Sequence, residues 1–124
     1  MNKIVTTRQL LFSVVMLSLA PIFRNIPKIV CQKADIIDLG ACSTRPGAEL
    51  VPVEEEIRRL IPAIRFIKSE FPNVPISIDT VWSKVCIAAI NEGADIINDI
   101  SGGSFDEKMF DTVASLQVPY ILTH

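Results

Sequence analysis

Four short apolar runs in this chain each end in polar residues. Ile36-Ile37-Asp38-Leu39-Gly40, Ile76-Ser77-Ile78-Asp79-Thr80 and Ile96-Ile97-Asn98-Asp99-Ile100 close on a carboxylate or an amide, and Tyr120-Ile121-Leu122-Thr123-His124 closes on the only histidine. Short isoleucine-rich runs separated by helical stretches predict a parallel sheet. In parallel α/β folds the carboxyl ends of the strands are where ligands bind, so four polar strand ends in register predict one site built from several strands.

The stretches between the runs carry the helical period. After a loop at 41–51, Pro52 suits a first helical turn and Glu54, Glu55 and Glu56 favour its positive end. Val53, Ile57, Leu60, Ile61, Ile64 and Ile67 keep a 3.6-residue spacing, with Pro62 as a local conflict that predicts a kink. A second helix is expected from Val81 to Glu92 with Gly93 as a left-handed cap, and a third through Gln117, opened by a Ser104/Glu107 capping box. Ala34-Asp35-Ile36-Ile37-Asp38 and Ala94-Asp95-Ile96-Ile97-Asn98 nearly repeat one helix-to-strand junction, as expected of repeated β/α units. Alternating strands and helices make half of a (β/α)₈ barrel or most of a small doubly wound sheet. Order alone does not choose between them, although no G-x-G-x-x-G or Walker loop supports the second.

With 124 residues the chain holds at most one domain, and its charge is unevenly spread. Residues 1–33 carry Lys3, Arg8, Arg24, Lys28 and Lys33 and no acid, whereas all the acids follow Lys33. Cys31, Cys42 and Cys86 are odd in number and widely spaced, against a disulfide framework or a zinc site. The apolar run 10–23 behind Lys3 and Arg8 has some character of a signal peptide, but it is short for a membrane span and its cleavage signal is poor. The expectation is a buried strand or helix, or a segment foreign to the domain that follows.

Several residues could carry chemistry. Asp79 follows a clean strand and reads equally as a helix N-cap or as a site residue, and Asp38 has the same ambiguity. Of Asn98 and Asp99, one must face the site, and an amide offers the donor and acceptor that heterocycle recognition requires. The loop Ser43-Thr44-Arg45-Pro46-Gly47-Ala48 follows a strand exit and offers a hydroxyl, a guanidinium and backbone amides suited to a phosphate or carboxylate, or it is an ordinary surface turn.

These motifs, in this order, resemble the dihydropteroate synthases: Ala34 through Gly40, Ser43 through Ala48, Ser77-Ile78-Asp79-Thr80, and Gly93 through Gly102. S-T-R-P-G-A after D-[IL]-G is the most specific of them. The resemblance runs from about residue 26 to 124 and leaves 1–25 as an atypical N-terminal segment. It implies a pterin-binding (β/α)₈ barrel, present here as roughly strands 2 to 5 with their helices. The implied reaction, in folate biosynthesis, joins 6-hydroxymethyl-7,8-dihydropterin diphosphate to p-aminobenzoate and releases pyrophosphate, with Mg²⁺. By the same resemblance Asp79 and Asn98 bind the pterin. Thr44 and Arg45 are catalytic, in a mobile loop of Ser43, Thr44, Arg45, Pro46 and Gly47 that closes over the substrates. A cytoplasmic homodimer, inhibited by sulfonamides and without nucleic-acid or membrane partners, is also implied.

The chain departs from the family pattern. Nothing in residues 1–25 matches the N-V-T-P-D-S-F loop whose asparagine helps hold Mg²⁺, so no metal ligand is assigned. The last strands, with a pterin-binding lysine and an R-x-H pair, are also missing, and Cys42 and Lys33 stand where the family often has Glu and Gly. The expectation is an incomplete synthase, poorly soluble and inactive by itself, with unpaired sheet edges. Two other readings fit less of the sequence. A methyltetrahydrofolate methyltransferase-like barrel would share the Asp and Asn strand ends but lacks S-T-R-P-G-A. A non-catalytic secreted α/β module would need residues 10–23 to act as a signal.

Overall fold

A computed structural model of the chain describes residues 11–15, 27–28, 34–41 and 51–122. Its elements run β1 (Leu11–Val15), β2 (Ile36–Gly40), α1 (Val53–Glu70), β3 (Ile76–Asp79), α2 (Ser83–Asn91), β4 (Ile96–Asp99), α3 (Met109–Leu116) and β5 (Tyr120–Leu122). The four expected strands are observed, shifted by a residue or so at their ends. The apolar run 10–23 contributes a strand, β1, which pairs in parallel with β2.

The strands form one parallel sheet in the order β1-β2-β3-β4-β5. A doubly wound sheet reverses its strand order at a switch point. Here each strand is added beside the last, and right-handed crossovers then put every helix on the same face. That progression is the wall of a (β/α)₈ barrel, and it decides between the two architectures that element order left open.

The period-2 pleat of the strands builds the core. Ile37 and Leu39 of β2, Ile76 and Ile78 of β3 and Ile97 of β4 are fully buried in one cluster with Leu60, Ile64 and Ile67 of α1, Val85 and Cys86 of α2, and Met109 of α3. Alternate residues of the same strands lie on the opposite face, which is treated below.

Two local expectations, the start of α2 and the capping box of α3, are corrected. Helix α1 runs unbroken through Pro62. The backbone bond lost there would have gone to the carbonyl of Arg58, an exposed residue that water can serve. Helix α2 starts at Ser83 with Trp82 as its N-cap residue, and Asp79 does not cap it. Instead Thr80 Oγ1 accepts the Trp82 N–H and Asp106 Oδ2 accepts the Ser83 N–H at 2.8 Å. The Ser104/Glu107 capping box does not form. Helix α3 begins only at Met109, Ser104 Oγ donates to the Ser101 carbonyl, and Asp106 Oδ1 accepts the Lys108 N–H. Gly93 is left-handed as expected, at φ 114°.

Candidate functional site

Register sorts the polar residues by face. Gly40, Asp79 and Asn98 are partners across β2, β3 and β4, so they form one row at the carboxyl edge of the sheet. The row beneath is Asp38, Ser77 and Ile96. Ile36, two residues before Asp38, lies lower on the same face. The face opposite the helices is therefore apolar at its base and polar toward the strand ends.

In this cluster Asp38 is 2% and Ser77 0% exposed, and Asn98 is half-buried. The Asn98 amide donates from Nδ2 to Asp38 Oδ2 across 3.5 Å, a long contact that passes over β3. Buried Ser77 Oγ and Asn98 Oδ1 have no protein hydrogen-bond partner among the described residues. Burial pushes the Asp79 carboxyl up to about 6, and the charges of Asp38 and then Asp99 add to the effect. Gly40 lies against Asp79: a Cβ there would meet the Asp79 Cβ at 3.4 Å and Oδ2 at 3.6 Å, ordinary contact distances.

Such a cluster has the donors and acceptors to pair with the edge of a flat heterocycle. A carboxylate accepts from ring N–H or amino groups, and an amide accepts and donates side by side. Buried polar groups are costly unless paired, so their convergence at one sheet edge points to a ligand that pairs them.

Of Asn98 and Asp99, it is Asn98 that shares the row of Asp79. Asp99 lies on the helix-facing side, fully buried and fully employed. It accepts from the Ser101 N–H at 2.9 Å, Ser101 Oγ at 2.6 Å, the Gly103 N–H at 2.9 Å and the Tyr120 hydroxyl at 2.7 Å. It holds the turn after β4 and ties β5 to it. Burial and the Asp99 carboxylate push the Tyr120 hydroxyl pKa up. Cys86 is inert: burial raises its thiol to about 12, and it lies 3.6 Å from the Met109 sulfur.

Two contributors were not legible as site residues. Ser77 sits inside an apolar run and gains meaning only through its register with Asp38. Glu56, expected to serve the helix dipole, is 2% exposed and accepts from Thr80 Oγ1 at 3.1 Å, so α1 braces the residue that follows Asp79. Ser43, Thr44, Arg45, Pro46, Gly47 and His124 lie outside the described residues. Just past the end of β2, Arg59 Nη1 donates to the Ala41 carbonyl at 3.1 Å.

A cleft of about 550 Å³ opens elsewhere, among Trp82, Ser83, Phe105, Asp106 and Lys108, and includes neither Asp79 nor Asn98. Among the described residues, no group of three or more His, Cys, Asp or Glu side chains could hold a metal ion, and no helix is long and apolar enough to cross a membrane.

A family model described as "Pterin binding enzyme" matches residues 10–124, a span that includes β1. The folic acid synthesis protein fol1 of Schizosaccharomyces pombe is 52% identical over 103 residues, which cover 83% of this chain and 14% of that protein. A dihydropteroate synthase of Xanthomonas albilineans, solved with 4-aminobenzoic acid, superposes with a TM-score of 0.78 at 40% identity, over 85% of this chain and 38% of that one. A dihydropteroate synthase of Clostridium difficile, solved in the presence of pteroic acid, gives 0.79 at 38% identity, over 82% and 38%. The chain thus spans between 14% and 38% of the length of these relatives.

Proposed function

This chain belongs to the pterin-binding enzyme family, and we propose that it forms part of a dihydropteroate synthase of folate biosynthesis. The observation that carries this reading is the row shared by Asp79 and Asn98 at the carboxyl edge of a parallel sheet, on the face away from the helices. The substrates proposed are 6-hydroxymethyl-7,8-dihydropterin diphosphate and p-aminobenzoate. The pteroic acid and 4-aminobenzoic acid in the structures of the two related synthases support that choice of ligand class.

In this reading Asp79 accepts from the ring N–H and amino group of the pterin, and Asn98 pairs with the same edge. The arylamine nitrogen bonds to the pterin methylene carbon as the carbon–oxygen bond to diphosphate breaks, and the amine gives up a proton. Thr44 and Arg45, with Ser43, Pro46 and Gly47, are proposed to close over diphosphate and p-aminobenzoate. Arg45 would stabilise the charge that develops on the departing pyrophosphate. Since the Asp79 carboxyl sits near 6, its acceptor form dominates at neutral pH and declines below that value.

The described residues supply no nest for Mg²⁺, so we propose it only as a companion of the substrate diphosphate, which usually provides part of its coordination. A cytoplasmic location, a homodimer and inhibition by sulfonamides belong to the same proposal and rest on the family alone.

Pteroic acid binding to the 124-residue chain, followed by ligand-observed NMR, tests the reading. Saturable binding is expected, weakened at least about tenfold in Asp79→Asn and Asn98→Ala, in line with losing hydrogen bonds that involve a charged or buried partner. Turnover by the chain alone is not expected, given the fraction of its relatives that it spans. An absence of saturable binding, or equal binding by both variants, would overturn the assignment.

A further inference from the structure

Asp38 lies one row below the groups assigned to the ligand, and its burial calls for a purpose. It reaches Asn98 not along one strand pair but across β3, from β2 to β4. The residue beneath that crossing is Ser77, the register partner of Asp38 and one of the smallest side chains available. We propose that Asp38 is a positioning residue, which accepts the Asn98 Nδ2–H over the small side chain of Ser77 and so fixes the amide with Oδ1 and the second N–H available to the ligand.

The orientation follows from charge. With the amide reversed, its oxygen would face a carboxylate oxygen, so an ionised Asp38 admits only the orientation observed. That orientation leaves Asn98 Oδ1 as a buried acceptor without a protein partner among the described residues, ready for a ring N–H. The contact is long at 3.5 Å, and hydrogen bonds at ligand-free sites commonly tighten when the ligand arrives. Asp38 also acts on Asp79. Among the described residues the charges that act on the Asp79 carboxyl are Asp38 from β2 and Asp99 from β4, both acidic, while Glu56 of α1 accepts from the neighbouring Thr80. Asp38 therefore orients one ligand group and makes the other easier to protonate.

The inference rests on the pterin reading for its ligand but not for its geometry, so two readouts are required. In the ligand-free chain, the side-chain amide proton shifts of Asn98 report the hydrogen bond, and a carbon-detected titration reports Asp79. Asp38→Asn keeps an acceptor and removes the charge. With the charge gone the Asn98 amide is free to take either orientation, so this variant is expected to move the Asn98 shifts, to weaken pteroic acid by less than Asp38→Ala does, and to move the Asp79 midpoint to lower pH. Asp38→Ala removes the acceptor, and Ser77→Val blocks the crossing without altering either partner. Both are expected to move the Asn98 shifts and to weaken pteroic acid about tenfold, the worth of one such bond. Ser77→Val covers the case in which Asp38→Ala does not fold. Unchanged Asn98 shifts in both variants, or an unmoved Asp79 midpoint in Asp38→Asn, would overturn the proposal. If the wild-type chain does not bind pteroic acid while the Asn98 shifts still respond, the positioning role stands and the pterin reading falls.

Discussion

The two faces of the sheet are built from the same strands and do opposite things. On the helix side Ile37, Leu39, Ile76, Ile78 and Ile97 are fully buried in one apolar cluster. On the other side Asp38, Ser77, Asp79 and Asn98 occupy the alternate positions. A parallel sheet covered on both faces normally carries near-continuous apolar runs. This one breaks that rule chiefly on one face and toward its carboxyl edge: Ile36 and Ile96 keep the base of that face apolar, and the helix side carries one strand acid, Asp99, with four donors. The first face supplies stability. The second accepts a cost in stability to hold polar groups ready, as functional sites commonly do.

The comparison is broken most easily from the stable side. Ile78→Ala removes a fully buried side chain between the helices and is expected to destabilise the chain by about 3 kcal/mol, read from urea unfolding. A loss below about 1 kcal/mol would mean that the helix face is not the main source of stability. Tyr120→Phe sharpens the contrast within the acids. Asp99 would lose one of its four donors, at a cost of about 1.5 kcal/mol in the same assay. That result would mark Asp99 as structural, in contrast to its neighbour Asn98. The smallest effect is expected at the outer surface. Arg65 pairs bidentately with Glu92 between α1 and the end of α2, yet the pair is solvent-facing, so Arg65→Ala should leave the unfolding midpoint unchanged.

What could be read from sequence was what local pattern controls. The strands were legible because isoleucine-rich runs bounded by turn residues have few other fates, and α1 because its apolar stripe, Val53 to Ile67, spans about four turns. Asp79 and Asn98 were legible as site candidates because strand ends in α/β folds have a known use. Contacts between distant segments were not legible. Asp106 replaced the local Ser104/Glu107 box because it caps α2 across 23 residues of sequence. Glu56 looked like any acid in a first helical turn until its contact with Thr80, 24 residues away, took it out of solvent. The choice of a barrel wall over a doubly wound sheet waited on strand order, which no local pattern encodes.

Asp79 gives the most direct test of the division between the faces. Its carboxyl sits at about 6 in the fold, above its ordinary 3.8, so the folded chain holds that proton more tightly than the unfolded one does. Stability therefore falls as pH rises from about 4 to about 6 and stays lowered above that range; below about 4 both states are protonated and the penalty is absent. Equilibrium unfolding of Asp79→Asn beside the wild type at pH 7 and pH 4 reads this directly. The account predicts that the variant is the more stable at pH 7, by about 1 kcal/mol after allowing for partial exposure, with the difference vanishing at pH 4. A variant less stable than the wild type at pH 7 would show that Asp79 holds the fold together, and would contradict the assignment of its face to a ligand.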